Sequence, residues 1–178
     1  VVEFADFECS YCAEVFPLLH EYANREPAVR IAFKHFPLSP KCNPQITSDM
    51  HENSCGAALA AECAQRQGRF WELSRLMFMN QTRLDVDGIM YMASQVGLDQ
   101  GSFQACLQGE DAMRAVATDI EHGNAVGVFS TPSLFLRGLR GDEWVHNKVG
   151  VEGLELLVDG HKRGLEILPT PPWQQPRF

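Results

Sequence analysis

The chain is expected to form an α/β domain with an all-helical lobe inserted into it, and three features lead there. The first residues read as strand, tight turn and helix; every hydrophobic period from about Ala57 to Asn124 is helical; and β character returns only at Ser133. Val1 to Phe7 alternates as a half-buried strand, and the apolar residues Val15, Phe16, Leu19 and Tyr22 then recur at helical spacing. Val29 to Phe36, rich in β-branched and aromatic residues and closed by Pro37, is the second strand, which completes a βαβ unit. Residues 37 to 55 carry Pro37, Pro40, Asn43, Pro44 and Asn53 without a period and read as a loop. The helical lobe spans about 53–126, with apolar sets such as Phe70, Leu73 and Met77, or Met113, Val116 and Ile120. Strands are expected at Ser133 to Arg137 and around Trp144 to His146, and a closing helix at Leu154, Leu157 and Val158. The single domain is expected to cover 1–168, followed by a tail over 169–178 that holds four prolines.

The 178 residues are 45% hydrophobic and carry a formal net charge of -8, a balance that suits one buried core and argues against nucleic acid or an anionic membrane surface as partner. No apolar run is long enough to span a bilayer. Residue 1 is Val and already reads as strand, so the natural product is expected to begin further upstream, with a leader, anchor or membrane domain as candidates. Six cysteines point to an oxidising, extracytoplasmic compartment.

The chemistry centres on Cys9-Ser10-Tyr11-Cys12 at the strand-to-helix junction. Both sulfurs fall on the first helical turn, within reach of each other and of unpaired N–H groups. Partial positive charge there favours thiolate over thiol, so Cys9, expected to be the exposed member, becomes a good leaving group and its disulfide a good oxidant. Cys12, one turn deeper, would resolve the mixed disulfide. A zinc site would need a second pair at ligand spacing, which Cys42, Cys55 and Cys63 do not supply. An inert staple over so short a loop would add little stability. Asp6 and Glu8, close to the turn, are expected to be exposed and to oppose a Cys9 thiolate modestly.

Val2-Glu3-Phe4-Ala5-Asp6-Phe7-Glu8-Cys9-Ser10-Tyr11-Cys12 resembles the active-site strand and turn of the DsbA-like branch of the thioredoxin superfamily. Pro17 in the first helix, Thr131-Pro132 before a strand and the long helical insertion agree with it. The resemblance covers all but the Pro-rich tail and implies a thioredoxin fold with an inserted helical subdomain. It implies that Thr131 and Pro132 form a cis-proline loop which, with Ser10 and Tyr11, contacts substrate. Glu3, six residues before Cys9, occupies the place of a buried carboxylate that exchanges a proton with Cys12. Read from the residues alone, Glu3 is as well placed on a solvent face, and Lys34 on the neighbouring strand is expected to be solvated, with a pairing to Glu3 as the alternative.

Cys42, Cys55, Cys63 and Cys106 can pair in three ways, or Cys63 and Cys106 can be free buried thiols. The resemblance favours Cys63 with Cys106, as a bond between helices, and leaves Cys42 with Cys55 across the loop. It also implies no cofactor, and the expected activity is a dithiol oxidase for reduced secreted proteins, reoxidised by a DsbB-like or vitamin K epoxide reductase-like membrane partner. An isomerase or reductase, and a non-catalytic client-binding module with structural disulfides, are the alternatives. His20, His35, His51, His122, His146 and His161 form no ligand or triad pattern, and Met77, Met79, Met90 and Met92 are expected in core or groove.

Overall fold

Val2–Ala5 (β1) is the strand on which the rest is assembled, in a computed structural model that describes residues 1–27, 29–137 and 144–147. It pairs in parallel with β2 (Ala32–His35) and antiparallel with β3 (Ser133–Arg137), to which β4 (Trp144–Asn147) adds antiparallel. The order of the described strands is β2-β1-β3-β4. A parallel pair needs a crossover. Helix α1 (Ser10–Arg25), with Pro17 inside it, supplies the crossover between β1 and β2.

The two-residue period of β1 divides its side chains between two faces. Phe4 packs with Phe36, Phe135 and Val128 on one. The other carries Glu3, whose register partners are Phe33 and Leu134. Leu134 and Leu136 on that side meet Val15, Leu19 and Tyr22 of α1.

Between β2 and β3 lie helices α2 (Ser54–Gln65) and α3 (Phe70–Met79), a 3-10 turn (Gln81–Arg83), and helices α4 (Val86–Gln95), α5 (Gln100–Leu107) and α6 (Glu110–Ala125). Ala57, Ala60, Ala61 and Ala64, all fully buried, give α2 a thin inner face against the rest of this lobe. Disulfides join Cys63 on α2 to Cys106 on α5, and Cys42 to Cys55 across the loop before α2. Asp85 and Asp99 cap α4 and α5 by accepting from the N–H groups of Gly88 and Ser102. Phe7, Phe16, Phe33, Phe70 and Phe78 form an aromatic layer that glues the lobe to β2 and α1.

Helix α6 closes the opposite face of the sheet. A β-carbon at Gly123 would stand 2.6 Å from the ring of fully buried Phe36 and 3.2 Å from Phe4, so only hydrogen fits there. Gly123→Ala is expected to cost about 1–3 kcal/mol in urea denaturation, less the ~1 kcal/mol that alanine returns as a better helix former. Asp119 on the same helix accepts the His35 N–H at 3.1 Å and pairs with Lys34, while His35 Nε2 meets Glu62 of α2 at 3.2 Å. The described residues His35, Glu62 and Asp119 bring one nitrogen and two carboxylates together, and the Lys34 ammonium pairs with the Asp119 member.

Three expectations are corrected here. The second strand is Ala32–His35, not Val29 to Phe36, because the Val29 N–H turns back to the Glu26 carbonyl and Phe36 leads into a proline loop. Lys34 is neither solvated alone nor turned to Glu3, but pairs with Asp119. Met79 is 68% exposed, since it ends α3, whereas Met77 and Met92 are buried. The expected closing helix at Leu154, Leu157 and Val158 and the tail over 169–178 lie outside the described residues.

Candidate active site

Cys9 is the N-cap of α1, and its sulfur accepts from the Cys12 N–H at 3.4 Å. As a thiol it donates to the Thr131 carbonyl, also at 3.4 Å. The Thr131–Pro132 peptide bond is cis, and it brings this loop against the cysteines, 122 residues away in the chain. Both cysteines are free thiols, so the structure is that of the dithiol. Contrary to expectation, Cys9 is buried, at 8% exposure, though less so than the fully buried Cys12; Ser10 and Tyr11 are the exposed members of the motif, Tyr11 at 67%.

The two sulfurs are electrostatically unlike. The pKa of Cys9 is drawn down to about 6, first by the hydrogen bond from the Cys12 thiol and then by the Thr131 side chain and the Cys12 N–H, against burial and the charge of Asp6. That of Cys12 is pushed far above the thiol range by burial, reinforced by its bond to Cys9 and by the charges of Cys9 and Glu3. One sulfur is a thiolate at neutral pH while the other keeps its proton.

Glu3 stands on the α1 side of β1, fully buried, and among the described residues neither carboxyl oxygen has a hydrogen-bond partner. Burial foremost, and then the charge of Cys9, raises its pKa to about 8. The folded chain thus keeps a proton that the unfolded chain releases near pH 4.5, so stability falls as pH rises from about 4.5 to about 8 and levels off above. Glu3→Gln is expected to stabilise the oxidised protein at pH 7 by about 2 kcal/mol, an advantage that vanishes near pH 4. Urea denaturation at both pH values checks this, and parallel curves for parent and variant would mean that Glu3 is not held neutral.

Three contacts at this site are missing from the sequence reading. Asp6, expected to be exposed, is buried at the end of β1: Oδ1 accepts the Glu8 N–H at 2.8 Å, and Oδ2 accepts the Leu38 N–H at 2.7 Å and meets His51 Nδ1 at 2.8 Å. The chain turns there and carries the carboxylate inward. Glu8 is only partly exposed, since its carboxylate accepts from the Asn53 N–H and side-chain amide at 2.8 and 3.1 Å. Gln81, in the 3-10 turn, donates its side-chain amide to the Phe7 and Cys9 carbonyls at 2.8 and 2.9 Å and so ties the lobe to the turn that bears the cysteines. Apart from the Glu8 N–H, these partners lie 32 to 74 residues away in the chain, a separation no local pattern reveals.

A dithiol with one activated sulfur, set at the start of the first helix of this sheet and faced by a cis-proline loop, defines a thioredoxin-fold protein of redox type. Residues 1–159 match the family model described as Thioredoxin, and the chain belongs to that family. Its architecture is DsbA-like. It superposes on a thioredoxin-like oxidoreductase from Silicibacter pomeroyi DSS-3 with a TM-score of 0.70 at 22% identity, covering 91% of this chain and 85% of that one. It superposes on Pseudomonas aeruginosa DsbA2 with a TM-score of 0.69 at 23% identity, covering 93% and 90%. The catalytic domain of Proteus mirabilis ScsC gives 0.67 at 20%, covering 90% and 81%. At these identities the likeness is one of fold. Among curated proteins, the Na(+)/H(+) antiporter NhaA 3 of Salinispora tropica is 32% identical over 158 residues, which are 89% of this chain and 22% of the antiporter. NhaA of Herminiimonas arsenicoxydans is 30% identical over 172 residues, 96% of this chain and 25% of that protein. The chain therefore spans a quarter or less of the length of these relatives.

Proposed function

We propose that the chain is a thiol-disulfide oxidoreductase that introduces disulfides into extracytoplasmic proteins. The observation that carries this reading is the unequal pair: a Cys9 sulfur stabilised as thiolate beside a Cys12 held protonated, with the protonated Glu3 carboxyl behind them. Starting from the Cys9–Cys12 disulfide, a client thiolate attacks Cys9 Sγ. A client–Cys9 bond forms, the Cys9–Cys12 bond breaks, and Cys12 leaves with the electron pair and takes up a proton, for which Glu3 is the donor on the buried side. A second client thiolate then attacks the client sulfur. The client disulfide closes and Cys9 departs as the stabilised thiolate, so that two client thiols are oxidised and the pair is reduced by two electrons.

Thr131 and Pro132, with Ser10 and Tyr11, are the client-binding residues in this reading. Tyr11, Met50 and Phe129, all more than 60% exposed, offer apolar contact to an unfolded chain. Regeneration delivers the two electrons to a quinone-linked membrane partner, DsbB-like or vitamin K epoxide reductase-like. Similarity to segments of antiporters about four times longer supports a domain joined to a membrane protein, and the oxidase reading puts it on the extracytoplasmic side.

The reduction potential of the Cys9–Cys12 pair against a glutathione buffer tests this. A value of about -120 to -180 mV is expected. One below about -300 mV, the range of structural disulfides, would discard the oxidase in favour of a binding module.

A further inference from the structure

Among the described residues, Asp6 is a buried carboxylate whose charge the exchange chemistry does not use. Its position is specific. Its carbonyl accepts the Cys9 N–H at 3.1 Å, so it opens the very turn that carries the reactive sulfur, and its side chain is shielded completely from solvent. An anion there works against a Cys9 thiolate. The only side chain hydrogen-bonded to that carboxylate among the described residues is His51, one-fifth exposed, with Nδ1 at 2.8 Å from Oδ2.

His51 arrives from a segment without helix or strand, yet the segment is well anchored. The Cys42–Cys55 disulfide closes it, the His51 carbonyl accepts from the Ser54 hydroxyl and N–H, and Asn53 is bonded to Glu8. The charges around the imidazole are those of Asp6, Glu8 and Cys9 on the turn and of Asp49 on its own segment, while Lys41 engages Asp49 and Glu52. The surroundings are thus predominantly anionic, and the His51 pKa is held above the usual histidine range, foremost by the Asp6 hydrogen bond.

We infer that His51 is a positioning residue for the exchange reaction: seated on Asp6, its imidazolium cancels the buried charge that opposes the Cys9 thiolate, and so sets the reactivity of that sulfur. This rests on the redox reading of the site. Acting through Asp6 rather than on substrate, His51 makes the acidity of Cys9 depend on its own protonation, and the coupling is reciprocal. The advantage fades as pH rises through the His51 pKa.

The first test uses the unaltered protein. The ring protons of His51 are followed by NMR against pH in the disulfide form and in the dithiol form obtained by mild reduction. His51 is expected to titrate at higher pH in the dithiol, where the Cys9 thiolate faces it; identical curves in the two forms overturn the inference. The second follows the pH dependence of Cys9 alkylation by iodoacetamide. In His51→Gln the midpoint is expected to move up by about one pH unit, the effect of one uncompensated charge nearby. In Asp6→Asn/His51→Gln, which removes both charges, it is expected to return to the parent value. A shift that persists in the double variant would show that His51 merely holds its loop in place, and no shift in the single variant would also overturn the inference. These readouts require only a titrating Cys9, so they stay legible if the reduction potential rejects the oxidase reading.

Discussion

In the dithiol form, the first thiol proton is expected to leave with a midpoint near pH 6, followed as thiolate absorbance at 240 nm, and Cys9→Ser is expected to abolish both that titration and all exchange with a glutathione mixed disulfide. An ordinary thiol would titrate near 9 on the same scale. The difference of three units corresponds to ~4 kcal/mol in favour of the Cys9 thiolate. Because the folded pKa is depressed, this stabilisation of the dithiol is complete above pH 9 and is lost as pH falls through 6. At pH 7 about one unit of it is in force, or ~30 mV toward a more oxidising pair. Cys12, held protonated, should resist alkylation throughout, so a single modified cysteine is expected at neutral pH. A midpoint of 8.5 or above would remove the basis for an activated Cys9.

The second large effect belongs to the helical lobe. Cys63→Ala/Cys106→Ala opens a crosslink spanning 43 positions, and the loop-closure entropy of that span corresponds to about 4 kcal/mol. Cys63 is also fully buried in the main hydrophobic cluster, where truncation leaves unfilled space. Cys42→Ala/Cys55→Ala releases only 13 positions and should cost about 3 kcal/mol. Domains of this kind are stable by some 5–15 kcal/mol in total, so either loss is a substantial share. Urea denaturation of the two double variants is expected to rank them in that order. A loss below ~1 kcal/mol for the Cys63–Cys106 pair would mean that packing alone holds α2 and α5 together.

How far these features can be read from sequence depends on how local their causes are. The Cys9–Cys12 motif lies on one helical turn, and the strand, turn and helix around it are written in short periods, so the fold and the central dithiol were legible together. The helices between Ser54 and Ala125 carry long amphipathic periods, which is why their helical character was legible. Asp6 was misread because alternation describes a strand, and the chain has already left the strand there to turn its carboxylate toward the Leu38 N–H. His51 and Gln81 sit in segments without a period, and their roles come from partners 45 and more residues away. Glu3 shows the converse case. Strand alternation left its face undetermined, and only the packing of α1 over the sheet puts it out of reach of water.

The pairing order of the cysteines bears on how the protein itself matures. Counting from the start of the chain, the reactive dithiol is the first two cysteines and the two disulfides join the next neighbours, 42 with 55 and 63 with 106, neither bond crossing the other. A chain whose thiols are oxidised in the order in which they appear arrives at this connectivity without a reshuffling step. Besides the reactive pair, a fresh copy presents four thiols that are closed by the same kind of chemistry as is proposed for the mature site. In the oxidase reading proposed above, an older copy would close them, and the molecule would be both catalyst and client of one reaction.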